Sequence, residues 1–226
     1  MESNMLLYHG SENIIYKPVF GQSNSVNDYG KGFYCTENYD IAGEWACKRE
    51  RDGFINQYEF DDTGLTVCNL NSPEYSLLNW LAVLTRFRGY WQKNSIAERA
   101  KEFLQENYYI DLSSYDVITG YRADDSYFSF AQDFIIGAIS LRKLGTAMHL
   151  GKLGEQIVLK TDKAFERISY VTNDPAEAEI YYPRKLARDL AARRAYADTR
   201  SSADDTDDIF ILDILRGRVK EDDLRI

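Results

Sequence analysis

A glycine-punctuated turn, Gly30-Lys31-Gly32, followed by the aromatic run Phe33-Tyr34-Cys35, constrains the fold of this chain most strongly. Glycine permits the tight turn and aromatic residues favour extended backbone, so the segment predicts a strand over 32–36. An apolar strand over 4–8 runs into His9-Gly10-Ser11, at a place where side chains reach ligands. The chain has only two histidines, and His9 is therefore a candidate binding residue.

The rest of the chain alternates irregularly between short strands and amphipathic helices. We expect Thr36 to cap the first helix. This mixture predicts an α+β domain in which helical insertions interrupt the strands. The predicted strands are 4–8, 32–36, 54–60, 65–70, 115–119 and 155–161, and the predicted helices are 38–51, most of 73–106, 130–143 and 183–197.

A change of composition near residue 174 predicts two units, a domain over 1–173 and a C-terminal extension over 174–226. The extension contains a basic helix over 183–197, whose charged face is expected to be solvated, and a polar acidic linker over 201–208. The tail over 209–215 is too apolar to remain in water. We expect it to pack as a short helix on its own domain, on another subunit or on a partner.

The bulk properties exclude several classes of protein. A net charge of −9 argues against broad, nonspecific binding to nucleic acid. No apolar stretch approaches the length of a membrane span, and the N-terminus lacks a signal-peptide pattern. Cys35, Cys47 and Cys68 lack metal-ligand spacing, which favours free thiols in the cytoplasm and no metal site.

Four segments of the chain occur in a telling order. They are His-Gly-Ser within 7–11, Gly-Lys-Gly-Phe-Tyr within 28–34, Tyr-Asp-Val-Ile-Thr-Gly and Ala-Asp-Asp within 115–125, and Glu-Gln-Ile-Val-Leu-Lys-Thr over 155–161. Together they resemble the ADP-ribosyltransferase superfamily, in the diphtheria-toxin-like branch that includes the poly-ADP-ribose polymerases, and most of all an uncharacterised bacterial family of that superfamily. The resemblance implies split antiparallel β-sheets with helical insertions and NAD as the substrate.

The resemblance also assigns roles to individual residues. His9 would bind a hydroxyl of the adenosine-side ribose, and the backbone of Gly10 would bind the nicotinamide amide. Ser11 and Gly32 are also expected among the NAD-binding residues. Tyr34, on the strand that follows Gly32, would sandwich the nicotinamide ring with Trp45, since aromatic faces suit a flat cationic ring. Ala42 stands where the polymerases carry a serine that contacts the carboxamide.

The resemblance implies a catalytic triad of His9, Tyr34 and a third residue at the start of a late strand. That third residue is either Gln156 or Glu155, but not both, because adjacent side chains on a strand point to opposite faces. The bacterial family favours Gln156, whereas Glu155 would restore the carboxylate of the polymerases. A glutamine can hold a hydroxyl but cannot act as a general base. The expected activity is therefore mono-ADP-ribosyl transfer.

These features predict a cytoplasmic mono-ADP-ribosyltransferase, a bacterial toxin or defence enzyme, that modifies a protein or nucleic-acid acceptor. The alternatives are an NAD glycohydrolase and a silent NAD-binding or interaction module. An antitoxin or a second copy could bind residues 209–215, and no membrane contact is expected.

Asp124 and Asp125 could cap the next helix or, with Arg122, face the acceptor or the diphosphate, and His149 is expected to be structural.

Overall fold

The computed structural model describes residues 4–89, 94–123, 125–150, 154–219 and 224, with Asp125 described only as backbone. The chain forms an α+β fold with two β-sheets. Strands in the described part are β1 (Asn4–Ser11), β2 (Phe33–Cys35), β3 (Gly53–Asp61), β4 (Val67–Asn69), β5 (Val117–Tyr121), β6 (Glu155–Leu159) and β7 (Ile168–Ala176). Helices are α1 (Tyr39–Ala46), α2 (Leu77–Phe87), α3 (Ser95–Asn107), α4 (Asp125–Ile135), α5 (Leu141–Met148), α6 (Asp162–Phe165), α7 (Ala178–Ser201) and α8 (Ile211–Leu215).

The first sheet is antiparallel with the order β1-β3-β7, and the second has the order β2-β6-β5-β4. The second sheet is mixed, because β4 pairs with β5 in parallel while the other pairs are antiparallel. A bridge between Tyr8 and Thr36 joins the two sheets, with Tyr8 N donating to Thr36 O over 2.8 Å. This bridge brings β1 and β2 side by side.

The core lies on both sides of this junction. The larger cluster packs α2, α3, α4 and α5 against the second sheet, and Leu78, Trp80 and Leu81 of α2 are fully buried in it. A smaller cluster around Leu7, Tyr58 and Leu159 lies where the two sheets meet.

Several predicted helices have different bounds. The first, expected over 38–51, ends at Ala46 because Lys48 and Arg51 close a tight turn in which Glu50 has a φ of 57°. Its cap is Asn38, whose side chain accepts from Ile41 N, and not Thr36.

The helix expected over 130–143 is two helices, α4 and α5. Gly137 has a φ of 80°, which ends α4, and Ser140 caps α5 by accepting from Lys143 N.

Strand β7 was missed by the sequence analysis. It is an edge strand paired only with β3, and most of its side chains are exposed, so it lacks the apolar alternation of a buried strand. The expected domain boundary at residue 173 falls inside β7, and the following helix α7 begins at Ala178, five residues before the proline expected to start it.

The apolar tail packs on its own chain as the short helix α8. Ile211 and Ile214 are buried in the larger core cluster, and Leu141 N donates to Ile209 O over 2.8 Å. The acidic segment before it is also held, since Arg142 binds Asp208 through two bonds of 2.8 and 2.9 Å. Ile211 and Ile214 are therefore buried within the chain, while the other apolar side chains of the tail stay partly exposed.

Candidate functional site

A cavity of about 800 Å³ lies beside the junction of the two sheets, with α7 along one side. It contains side chains from strands that are far apart in sequence. Of the predicted site residues, those that line it are His9, Gly10, Gly32, Tyr34, Trp45 and Gln156. The loop between Gly21 and Asn27 contributes Gln22, Ser23 and Asn27.

His9 lies within β1 opposite Asn56, and not at the end of the strand as expected. Its ring stacks on Phe33 with a centroid distance of 4.4 Å, and Nδ1 lies 2.7 Å from Tyr34 O. A carbonyl oxygen only accepts, so Nδ1 carries the proton. Burial lowers the pKa of His9 and favours the neutral ring. Nε2 is therefore the atom of this ring that can accept from a ligand hydroxyl.

Tyr34 is fixed at both its backbone and its side chain. Its carbonyl accepts from His9, and its hydroxyl donates to Gly30 O over 2.6 Å. The same hydroxyl accepts from Tyr29 N over 3.1 Å, which ties the aromatic ring to the glycine turn. Burial raises the pKa of Tyr34, so the hydroxyl stays protonated. The ring therefore serves as a rigid wall of the cavity.

The two predicted glycines are required by close packing. A Cβ at Gly10 would overlap the carbonyl oxygen of Ala42, because α1 packs directly on β1 there. A Cβ at Gly32 would lie 2.7 Å from Leu159 O, and Gly32 N donates to Ser23 Oγ over 2.8 Å. Both glycines let secondary-structure elements approach closely beside the cavity.

Strand β6 separates the two candidates for the third position. Gln156 is 3% exposed and lines the cavity, whereas Glu155 is exposed and accepts from Asn71 Nδ2 over 2.8 Å. Glu155 borders a different, shallow depression next to Asn38 and Tyr39. The alternation of the strand thus places the glutamine, and not the glutamate, in the cavity.

Trp45 also borders the cavity, but one face of its indole is covered by a cation. The guanidinium carbon of Arg122 lies 4.3 Å from the ring centroid. Within the described part of the chain, the buried Nε1 of Trp45 has no hydrogen-bond partner. A planar ligand could therefore stack on Trp45 only on the other face, or after Arg122 moves.

Ser11 does not line the cavity, although the resemblance placed it among the binding residues. Its hydroxyl donates to Asn13 O over 2.6 Å and accepts from Asn56 Nδ2 over 3.0 Å. Ser11 therefore stabilises the loop after β1.

Asp28 is a cavity residue for which the sequence analysis proposed no role. This carboxylate is 6% exposed and accepts from Ala123 N over 2.8 Å and from Gln156 Nε2 over 2.9 Å. Arg88 Nε lies 3.5 Å away. Burial raises the pKa of Asp28, and these donors and the charge of Arg88 partly oppose that rise. Its position in the Asp-Tyr-Gly-Lys-Gly segment was the one available signal, since its partners are distant in sequence.

The remaining candidates are Asp124, Asp125 and His149. Asp124 is outside the described residues, as is the side chain of Asp125, the first residue of α4. His149 caps α5 and its Nδ1 donates to Gly145 O over 2.9 Å, in agreement with a structural role.

The three cysteines are free and buried, and burial raises the pKa of Cys35. The described residues contain no cluster of three or more potential metal ligands. None of their helices combines the length and apolarity needed to cross a membrane.

Comparison with known proteins identifies a family. A family described as "Protein of unknown function (DUF3990)" matches residues 5–170, and the chain belongs to it. The match covers β1 to β6 and most of the cavity wall, but it ends before α7. Comparisons with curated proteins and with solved structures gave no match.

Proposed function

We propose that this protein is an NAD-dependent mono-ADP-ribosyltransferase with an ADP-ribosyltransferase-like arrangement of its two sheets. The observation that carries the proposal is the meeting of His9, Tyr34 and Gln156 in one cavity, from strands β1, β2 and β6. The resemblance to that superfamily depends on these three positions, which local sequence pattern alone does not bring together.

Each residue has a chemical property that suits the reaction. The neutral His9 can accept from a ribose hydroxyl through Nε2, and the fixed ring of Tyr34 can stack on nicotinamide. Gln156 uses Nε2 in its bonds to Asp28 and to Tyr121 O, so Oε1 is the atom of this amide that can accept from a hydroxyl. Holding the nicotinamide-side ribose and the leaving group in place lowers the entropic part of the barrier.

Bond cleavage separates nicotinamide from the ribose and leaves positive charge at the anomeric carbon. The electron pair of the broken bond goes to the nicotinamide nitrogen, and a nucleophile of the acceptor then attacks the carbon. The partial negative charge on Gln156 Oε1 and the nearby charge of Asp28 would stabilise the positive charge that develops on that carbon. Because Gln156 cannot remove a proton, the acceptor must be a good nucleophile or supply its own base, which favours single transfer over chain elongation.

The experiment is to incubate the purified protein with NAD labelled in the adenine and to measure both released nicotinamide and label retained on macromolecules from a cell lysate. Treatment with nuclease or protease then identifies the acceptor class. Release together with label on a macromolecule supports the proposal. Release with free ADP-ribose as the only product would mean that the protein is a glycohydrolase. Binding of NAD without release would indicate a silent module.

A further inference from the structure

Helix α7 forms one wall of the cavity although it lies outside the family match. The cavity-lining residues follow one helical face with spacings of three or four. They are Tyr182, Lys185, Leu186, Arg188, Asp189 and Arg193. The sequence analysis expected this basic face to be solvated, and the structure instead turns part of it toward the candidate site.

The helix is anchored at three places along its length. Near its start, the Tyr181 ring packs where a Cβ of Gly43 would lie, and near its middle Arg188 Nε binds the buried Glu44 over 2.8 Å. Near its end, Tyr196 stacks on Phe130 at 3.8 Å. These contacts hold the helix in place without a ligand, so its cavity-lining face is already directed at the candidate site.

The cavity is rich in cations although the chain as a whole is acidic, with a net charge of −9. The described residues that line it include two carboxylates, Asp28 and Asp189, and five cations, of which Arg188 is paired with Glu44: Arg88, Arg122, Lys185, Arg188 and Arg193. Arg193 binds Asp189 through Nε over 2.8 Å, and a guanidinium carries further donors. Such a surface favours a ligand with negative charge.

We propose that the cavity face of α7 binds the diphosphate of an ADP-ribose moiety through Lys185 and Arg193. The inference rests on the proposed function in taking an ADP-ribose-containing substrate. It assigns the anionic half of that substrate to helix α7, and the nicotinamide half to the strands that carry His9, Tyr34 and Gln156. Arg188 is a positioning residue here, because its contact with Glu44 holds the helix against α1.

The test compares Lys185→Gln and Arg193→Gln with Arg194→Gln. Arg194 is an exposed cation on the same helix that does not line the cavity, so it is a matched control for charge. Titration calorimetry measures the binding of ADP-ribose and of nicotinamide riboside, which lacks the diphosphate. Thermal unfolding of each variant serves as the control for folding.

We expect each cavity variant to bind ADP-ribose about 10-fold more weakly, with nicotinamide riboside unaffected and a shallower salt dependence. Arg194→Gln should match the wild type. Equal binding of ADP-ribose by all variants would overturn the inference, as would an equal loss in Arg194→Gln or an equal loss for both ligands.

The inference and the proposed function can fail separately. If the wild type releases nicotinamide from NAD and the cavity variants bind ADP-ribose normally, only the role of α7 is wrong. If the wild type binds ADP-ribose through Lys185 and Arg193 but never cleaves NAD, only the transferase proposal is wrong. Absence of ADP-ribose binding by the folded wild type would overturn the role of α7, and it would overturn both proposals only if nicotinamide release from NAD were absent as well.

Discussion

Gln156 donates from Nε2 to Asp28 Oδ2 over 2.9 Å, across 128 residues of sequence. The same carboxylate oxygen accepts from Ala123 N over 2.8 Å, and Oδ1 faces Arg88. Because both recorded bonds of Gln156 use Nε2, this network fixes which end of the amide can accept from a ligand. The proposed third catalytic position is thus held by a buried acid from the turn before β2.

Gln156→Ala should lower the single-turnover release of nicotinamide about 10-fold, because a hydrogen bond to the ribose is lost. Glu155→Ala is the matched control and should stay within about 2-fold of the wild type, since Glu155 does not line the cavity. Rapid-quench assays of released nicotinamide measure both rates. Equal rates in the two variants would remove Gln156 from the site.

Gln156→Glu should not improve the enzyme, although it restores the carboxylate of the polymerases. The new carboxylate would lie beside Asp28, whose pKa burial already raises. Two adjacent carboxylates repel each other when both are ionised. Both folded-state pKa values should therefore lie above those of the unfolded chain. The variant should therefore lose about 1–3 kcal/mol of stability at neutral pH and regain part of it in mild acid.

Urea unfolding of Gln156→Glu near neutral pH and in mild acid measures this difference, with Glu155→Gln as the control. A stability difference from the wild type that does not change with pH would show that the two carboxylates do not interact.

Acidification should destabilise the protein through His9. Burial lowers its folded-state pKa below the ordinary value of 6.5, so the unfolded chain binds the proton more readily. The free energy of unfolding should therefore fall as the pH drops through about 6.5 toward the folded-state pKa. His9→Gln removes this titration and should show a flatter profile from chemical unfolding at several pH values. Parallel profiles would show that His9 does not contribute.

Tyr34→Phe and Tyr34→Ala should separate the hydroxyl from the ring. The hydroxyl binds Gly30 O and Tyr29 N, so its loss should cost about 1 kcal/mol of stability while turnover stays within a few-fold. Loss of the ring should lower NAD turnover about 100-fold, because the leaving group is no longer oriented. Thermal unfolding and nicotinamide release measure the two effects. Near-normal turnover in Tyr34→Ala would exclude a stacking role.

The pair between Glu44 and Arg188 should anchor α7. Their side chains are 7% and 14% exposed, so Glu44→Gln or Arg188→Gln should each cost about 3 kcal/mol, with the double variant costing less than the sum. Arg184→Gln breaks the exposed pair with Asp40 and should cost less than about 1 kcal/mol. Urea unfolding of the four variants tests this. Additive effects of Glu44→Gln and Arg188→Gln would show that the pair is not coupled.

The sequence by itself determined the elements with strong local patterns. The aromatic run after Gly32 predicted β2, the alternation over 54–60 predicted β3, and the apolar stripe of α2 predicted its burial. Alternation along β6 also showed that Gln156 and Glu155 lie on opposite faces. These features depend on neighbours within one or two turns or strand pairs, where side-chain periodicity decides which face is apolar.

Only the tertiary structure decided which polar faces meet. Asp28 is joined to Ala123 across 95 residues, and no local pattern indicates that contact. The cavity face of α7 has the composition of a solvated helix, and the polar edge strand β7 depends on its pairing with β3. Apolar periodicity carries information about burial, whereas the partners of a polar or charged face depend on chain topology, so the wall that α7 adds to the cavity emerged only from the fold.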